Sequence, residues 1–252
     1  MRLVQAFLIA LSMYSKIPVP RVSWSKPNMR YAMCFFPVVG IITGGIVWLA
    51  GGYLLKSGFG KLFFSVMMTL IPVVINGGIH LDGFMDTVDA ICSYGDREKK
   101  LEILKDPHSG AFAMMGLAIY FLLSLALWSE VRSDMLPVIG LGYVLSRGLS
   151  GLSVVTFKAA KDSGLAYTFK SGADRTRTGI VMSVWILLGV ISMLVVSPLF
   201  GGIAVLISGL IFLYYRLMSE RSFGGITGDL AGYFLELCEL GILMGVVIGG
   251  RI

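Results

Sequence analysis

Three aspartates lie close together in NGGIHLDGFMDTVD at residues 76–89, directly after an apolar stretch. Asp82, Asp86 and Asp89 are spaced i, i+4 and i+7, so at about 100° per residue they fall within roughly 60° of arc on one helix face. Like charges at this spacing repel, and each costs at least ~2.5 kcal/mol at membrane depth. A divalent cation would make such a face favourable. The all-oxygen donor set suits Mg²⁺, with Mn²⁺ as an alternative, rather than zinc.

A simpler interpretation of these acids is a solvated helix end whose carboxylates pair with Lys99 or Lys105. That interpretation suits a single aspartate better than three on one face, and Gly83 among them would let a second helix approach closely. His80 lies about 160° from the acidic face by the same helical arithmetic. We therefore predict that His80 packs between helices or supports the ligands indirectly.

The elements that carry these residues are predicted to be membrane helices. Of 252 residues, 56% are hydrophobic and 14% charged, whereas soluble proteins carry roughly a quarter charged residues. A bilayer core needs about 20 apolar residues per helix. We predict an all-α, polytopic membrane bundle in one domain, residues 1–252, with about seven spans: 31–55, 62–90, 110–129, 135–157, 178–197, 199–217 and 227–250.

Two details of this plan remain open at the sequence level. The pair of spans flanking Pro198 counts as one or two, giving six to seven spans. The apolar run LVQAFLIALSMY at 3–14 predicts a short, retained N-terminal helix rather than a cleaved signal peptide. The three cysteines are widely spaced, so neither a disulfide framework nor a zinc site is expected.

Lysine and arginine are distributed unequally between the two sets of connections. Most of the 21 lie in the N-terminal segment and in the second-to-third, fourth-to-fifth and sixth-to-seventh connections. The opposite connections hold only Lys56, Lys61, Arg132 and Arg251. The positive-inside rule places the basic set in the cytoplasm. The aspartates of the second span, Asp229 of the seventh and Arg147 of the fourth then lie toward the cytoplasmic side.

Residues near the acids have the chemistry to receive phosphate. The segment LEILKDPHSGAFA at 101–113 supplies Lys105 and a Ser-Gly pair at a helix start, where free amides bind phosphate. Magnesium held by carboxylates usually shares its other positions with substrate phosphates. The basic connection GLAYTFKSGADRTRTG at 164–179 offers a second source. A net charge of +6 favours an anionic substrate, although anionic lipid headgroups explain the scattered charges as well.

Four stretches resemble the cobalamin synthase family, the adenosylcobinamide-GDP ribazoletransferases. They are SKIPVPR at 15–21, GGIHLDGFMDTVDA at 77–90, LEILKDPHSGAFA at 101–113 and FGGITGDLAG at 223–232. Weaker matches, LSRG at 145–148 and GLAYTF at 164–169, follow in the same order. Two stretches depart from the family pattern. Pro107 and His108 replace a polar residue and usually an arginine, and Ala90 follows the third aspartate where glycine is usual.

The resemblance implies an integral enzyme of the prokaryotic inner membrane whose active site faces the cytoplasm. It would join α-ribazole, or its 5′-phosphate, to adenosylcobinamide-GDP, release GMP and require Mg²⁺. Its chemistry would be related to that of CDP-alcohol phosphotransferases. Membrane lipid surrounds such a protein, no nucleic acid partner is implied, and a homo-oligomer is compatible with the sequence.

The expected reaction, attack by the ribazole hydroxyl with GMP leaving in line, needs positioning and charge neutralisation. Four carboxylates are assigned to Mg²⁺ and catalysis: Asp82, Asp86, Asp89 and Asp229. Either Asp89 or Asp229 would take the hydroxyl proton. Substrate contacts are assigned to Arg21, Lys105, Asp106, Ser109, Gly110 and Arg147. Arg147 has a second interpretation as the partner of an aspartate on another helix, and Arg21 as an anchor to headgroups. Glu236 and Glu239 are predicted to face inward.

Two other functions also use acids in a membrane. An ion-coupled transporter would show inverted repeats or helix breaks near the bilayer midplane, whereas here the acids gather at one edge and no repeat is visible. A phospholipid-type CDP-alcohol phosphotransferase would carry a DGxxAR run. In this chain Gly83 is followed by Phe-Met-Asp-Thr.

Overall fold

The computed structural model describes residues 2–160 and 174–251, so the segment GLAYTF at 164–169 lies outside the described residues. The regular secondary structure of the described chain is helical apart from one isolated bridge between Ala159 and Ile226, which confirms the all-α prediction. The helices are α1 (Arg2–Tyr14), α2 (Lys26–Met29), α3 (Phe36–Lys56), α4 (Lys61–Asn76), α5 (Ile79–Cys92), α6 (Arg97–Ile103), α7 (Ala111–Trp128), α8 (Leu136–Thr156), α9 (Arg175–Val196), α10 (Pro198–Met218) and α11 (Gly228–Gly249). A 3₁₀ turn, Ala32–Phe35, precedes α3, and a π turn, Ser219–Phe223, follows α10.

Six stretches of the described chain are long and apolar enough to cross a membrane, which confirms a multi-pass protein. They are Pro27–Lys56, Ala111–Trp128, Leu136–Thr156, Arg175–Val196, Pro198–Phe223 and Gly228–Gly249. The helices on either side of Pro198 are separate. Ser197 caps α10 by accepting a hydrogen bond from the Phe200 N–H at 3.3 Å, and proline suits the first helical position. The short N-terminal helix is present as α1.

The predicted second span, 62–90, is wrong as one continuous helix. The axes of α4 and α5 meet at 98°, because Gly77 and Gly78 both take left-handed φ angles of +66° and +75°. Glycine adopts such angles at little steric cost. With 16 and 14 residues at about 1.5 Å each, neither helix alone crosses a core of roughly 30 Å. Hydropathy predicted one straight span because it does not register a bend of the backbone.

Helix α8 lies at the centre of the bundle, with 89% of its apolar window buried. It packs against α3, α9 and α11. A Cβ on Gly40 or Gly44 of α3 would come within 2.4 or 2.0 Å of α8 carbonyl oxygens, so the two backbones approach through a small-xxx-small contact. By contrast, only 17% of the apolar windows of α7 and α9 are buried. Their exposed leucines and isoleucines suit contact with lipid.

The connections meet in two groups, one at each end of the bundle. At the end that carries most of the basic residues, Arg30 pairs with Asp174 of the α8–α9 connection at 3.0 Å, and the Ala159–Ile226 bridge joins that connection to the one between α10 and α11. At the other end, Arg251 pairs with Glu130. These contacts group the connections in the same way as the unequal distribution of lysine and arginine.

Candidate active site

Helices α5 and α11 cross where each carries a glycine. A Cβ on Gly83 would lie 2.7 Å from the carbonyl oxygen of Asp229, and one on Gly232 would lie 2.9 Å from that of His80. The two backbones therefore touch, and the start of α11 is held against the acidic helix. The close helix approach expected at Gly83 is confirmed.

The turn before α11 fixes the position of Asp229. Gly224 and Gly225 have φ angles of +72° and +151°, which explains the paired glycines of this motif. Thr227 caps α11 by accepting from the Leu230 N–H at 3.2 Å, and its hydroxyl donates to Asp229 Oδ2 at 3.3 Å. Asp229 thus lies in the first turn of α11, where the helix dipole favours negative charge.

The four predicted ligands interact at this crossing. Asp86 is partly buried, and the negative charges of Asp82, Asp229 and Asp89 act on its carboxylate. Among the described residues, no Lys, Arg or His pairs with the three α5 carboxylates. Lys99 pairs instead with Glu102 at 2.9 Å. The structure therefore gives no support to the interpretation of these acids as salt-bridged to Lys99 or Lys105.

The chemistry of these side chains fits a divalent cation, although they do not form a closed coordination shell. Carboxylates from two helices offer hard oxygen donors, and the acids around Asp86 repel one another, which a cation would relieve. Within the described parts of the chain, no three Asp, Glu, His or Cys side chains stand at coordinating separations. Binding would therefore require rotation of these carboxylates.

Asp89 differs from the other acids because it is tied to α7. The Ala113 N–H donates to Asp89 Oδ1 at 3.3 Å, and a Cβ on Gly110 would come within 2.4 Å of both carboxylate oxygens. Asp89 thus satisfies one of the free amides at the start of α7. This contact also holds the end of the DPHSG segment beside the acids.

The other predicted substrate contacts on the surface are less constrained. Gly110 adjoins Asp89, whereas the following four side chains are exposed: Arg21, Lys105, Asp106 and Ser109. The His108 N–H donates to Asp106 Oδ1 at 2.9 Å, and this bond and the His108 ring lower the pKa of Asp106. The assignment of these residues to substrate stays a prediction.

Arg147 lies inside the bundle, with its guanidinium carbon 6.0 Å from the centre of the Phe36 ring. It is fully buried, and its Nη1 donates to Glu239 Oε1 at 2.6 Å and to the Tyr143 carbonyl at 3.0 Å. The interhelical ion pair therefore exists, but its acid is a glutamate of α11 and not an aspartate. Glu236, one turn earlier, accepts from the Tyr120 hydroxyl at 2.5 Å. Both glutamates face inward, as predicted.

A cavity of about 190 Å³ lies beside two of the acids. Asp82, Asp229 and His80 form part of its wall. Most of the remainder is apolar or aromatic and comes from several elements: Met13, Tyr14, Met33, Phe36, Val154 and Leu235. A more open cleft of about 430 Å³ is also lined by Asp82, together with Ser12, Ser15, Lys16 and Asn76. Asp82 therefore borders both spaces.

Lys16 is a candidate residue that the sequence analysis missed. Its N–H donates to the Ile75 carbonyl at 2.7 Å, and its side chain packs over Gly77, where a Cβ would come within 2.3 Å. Lys16 thus covers the α4–α5 break and lines the cleft with Asp82. The only indication in the sequence was the position of Lys16 in SKIPVPR. That motif does not predict a contact with a helix break about 60 residues further along the chain.

The chain matches the family described as cobalamin-5-phosphate synthase over residues 6–247. It belongs to this family. A protein of Lachnoclostridium phytofermentans named adenosylcobinamide-GDP ribazoletransferase is 46% identical over 250 residues, covering 98% of this chain and 95% of that protein. Proteins of the same name from Pseudomonas entomophila and Clostridium perfringens are 35% and 32% identical over 252 and 243 residues. They cover 96% and 95% of this chain, and 98% and 96% of their own lengths. No solved structure matches the chain.

Membership in the cobalamin-5-phosphate synthase family confirms the resemblance and makes the chain an enzyme. It also decides how the α4–α5 break is interpreted. A broken helix beside acids would have suited an ion-coupled transporter, but the named relatives are transferases. The relation to CDP-alcohol phosphotransferases stays a prediction.

Proposed function

We propose that the protein transfers the cobinamide-phosphate moiety of adenosylcobinamide-GDP to α-ribazole, or to its 5′-phosphate, and releases GMP. The names of relatives that match along nearly their whole length support this activity. The observation that carries it in this chain is the contact of α5 with α11 at Gly83, which brings Asp82 and Asp229 to one cavity. The site lies at the basic end of the bundle, which the positive-inside rule assigns to the cytoplasmic face of the prokaryotic inner membrane.

We assign Mg²⁺, with Mn²⁺ as the alternative, to the carboxylates of Asp82, Asp86 and Asp229, with Asp89 as a fourth candidate. When bound, the ion would neutralise charge on the diphosphate. Two observations support the assignment: the like-charged neighbours around Asp86, and the absence of a cationic partner for the α5 acids within the described chain.

In the proposed reaction a ribose hydroxyl oxygen that is free in both α-ribazole and its 5′-phosphate bonds to the phosphorus next to cobinamide, and the bond from that phosphorus to the GMP oxygen breaks. The hydroxyl proton passes to a carboxylate. Asp229 is better placed for this than Asp89, because Asp229 lines the cavity whereas Asp89 accepts a hydrogen bond from α7. Lys16, in the cleft that shares Asp82, supplies positive charge for the phosphates.

Purified protein in lipid nanodiscs tests the proposal directly. Given adenosylcobinamide-GDP, α-ribazole and Mg²⁺, it should release GMP and form a complete cobamide in equal amounts. Parallel reactions with α-ribazole 5′-phosphate and with Mn²⁺ establish the preferred acceptor and metal. Folded protein that releases no GMP with either acceptor and either metal would contradict the proposal.

A further inference from the structure

The cavity beside Asp82 and Asp229 has the size of a small heterocycle. At about 190 Å³ it is smaller than the roughly 300–1,000 Å³ of sites that hold drug-sized ligands. A corrinoid ring is therefore too large for it. A bicyclic base fits, and its ribose would then reach the acids that line the same space.

Aromatic rings form one side of this cavity. The Tyr14 and Phe36 ring centroids are 4.1 Å apart, and the His80 ring lies 6.1 Å from Tyr14 with an interplanar angle of 24°. The Phe36 and His80 centroids are 6.0 Å apart. Flat aromatic ligands pack favourably against such rings.

His80 brings an unused polar atom to this wall. Only 4% of the residue is exposed, and its Nε2 has no hydrogen-bond partner among the described residues. Buried polar atoms in native proteins are nearly always paired, so an unpaired one calls for an explanation. A ligand in the cavity that His80 lines would provide it.

We propose that the cavity binds the heterocyclic base of the acceptor nucleoside and that His80 hydrogen-bonds the free ring nitrogen of that base. The inference rests on the proposed function. The benzimidazole of α-ribazole has two apolar fused rings and one nitrogen that can accept. With the proton on Nε2, His80 donates to it. Guanine, the other base in the reaction, carries several donors and acceptors. Asp82 and Asp229 are assigned to the metal and the acceptor hydroxyl. The wall then has few polar side chains left to pair with the donors and acceptors of guanine.

The test compares α-ribazole with its indole analogue, in which a C–H group replaces the accepting nitrogen. The wild-type enzyme should prefer α-ribazole by about tenfold or more in kcat/KM, since a site built to pair a polar group rejects the analogue that lacks it. His80→Phe should lower kcat/KM for α-ribazole, chiefly through KM, and bring the ratio close to one. His80→Gln, which keeps a donor, should retain part of the preference. Met33→Leu changes the same wall without a polar group and should leave the ratio as in wild type.

The outcomes separate this inference from the proposed function. Turnover by wild type with an unchanged ratio in His80→Phe would overturn the inference and leave the function intact. If His80→Phe does not fold, His80→Gln is used instead. A wild-type ratio of kcat/KM for α-ribazole over the indole analogue would then overturn the inference, and a lower ratio would support it. If wild type shows no turnover, the function fails, and equilibrium dialysis of α-ribazole then tests the cavity. Binding that His80→Phe weakens supports the inference, and absent or unaffected binding overturns it.

Discussion

Two groups of acids on α11 lie at different depths in the bundle and have opposite environments. Glu236 and Glu239 are inside, paired with Tyr120 and Arg147. Asp229 lies in the first turn, beside a cavity and opposite α5 acids that have no cationic partner within the described chain. A buried, paired acid holds helices together, whereas a cluster of like charges at a cavity is kept for a ligand. A charge in a membrane helix therefore identifies a site only when its partners are known.

The largest effect is expected on turnover, when one of the acids at the cavity is neutralised. Asp82→Asn removes a charge from the acidic cluster at the cavity, and GMP release per folded protein should fall by roughly a hundredfold or more with little loss of stability. Asp134→Asn is the matched control, because Asp134 is an exposed aspartate in an ion pair with Arg132 at 3.2 Å. Near-normal turnover by Asp82→Asn would contradict the distinction between structural acids inside the bundle and catalytic acids at the cavity.

The buried ion pair between Arg147 and Glu239 gives a second test of the comparison. Glu239→Gln leaves Arg147 buried without a counter-charge and should cost about 3–5 kcal/mol of stability, seen as a lower denaturation temperature in detergent. Turnover per folded molecule should change far less. Glu220→Gln removes an exposed partner of Arg216 and should cost about 0–1 kcal/mol. A Glu239→Gln protein as stable as wild type but inactive would assign Arg147 to substrate, as the sequence suggested.

A smaller effect is expected from a substitution at the contact between α5 and α11. Gly83→Ala places a methyl group against the Asp229 backbone and should cost about 1–3 kcal/mol. It should also lower turnover, because the two acidic elements move apart. Gly209→Ala, which would meet no atom within 4 Å, should change stability by about 1 kcal/mol or less. Equal behaviour of the two variants in thermal denaturation and in the assay would count against the crossing.

The smallest effect among the acids is expected at Asp89. Asp89→Asn keeps an acceptor for the Ala113 N–H and loses mainly a charge–dipole interaction of about 0.3–1 kcal/mol. Turnover should therefore fall less than in Asp82→Asn, measured in the same assay. A loss as large as that of Asp82→Asn would place Asp89 with the metal ligands, as the sequence assigned it.

Sequence alone predicted the features that depend on one segment at a time. Hydropathy predicted the membrane helices, and helical spacing predicted the single acidic face of α5. It missed the α4–α5 break, since hydropathy carries no information about the φ angles of Gly77 and Gly78. It also missed Glu239 as the partner of Arg147, because the contact joins helices far apart in the chain.

The cavity could not be predicted for a related reason. Its wall combines α1, the 3₁₀ turn, α3, α5, α8 and α11, and no motif specifies how these elements pack. His80 was correctly expected to pack between helices. Its unpaired Nε2 became visible only once the surrounding rings were in place.

Binding of Mn²⁺, followed by electron paramagnetic resonance on purified protein in nanodiscs, tests most directly whether α5 and α11 act on one ion. The wild-type protein should bind one Mn²⁺ that Mg²⁺ displaces. Asp82→Asn and Asp229→Asn should each weaken binding by about 10–100-fold. An affinity that stays at the wild-type value in either variant would contradict the account.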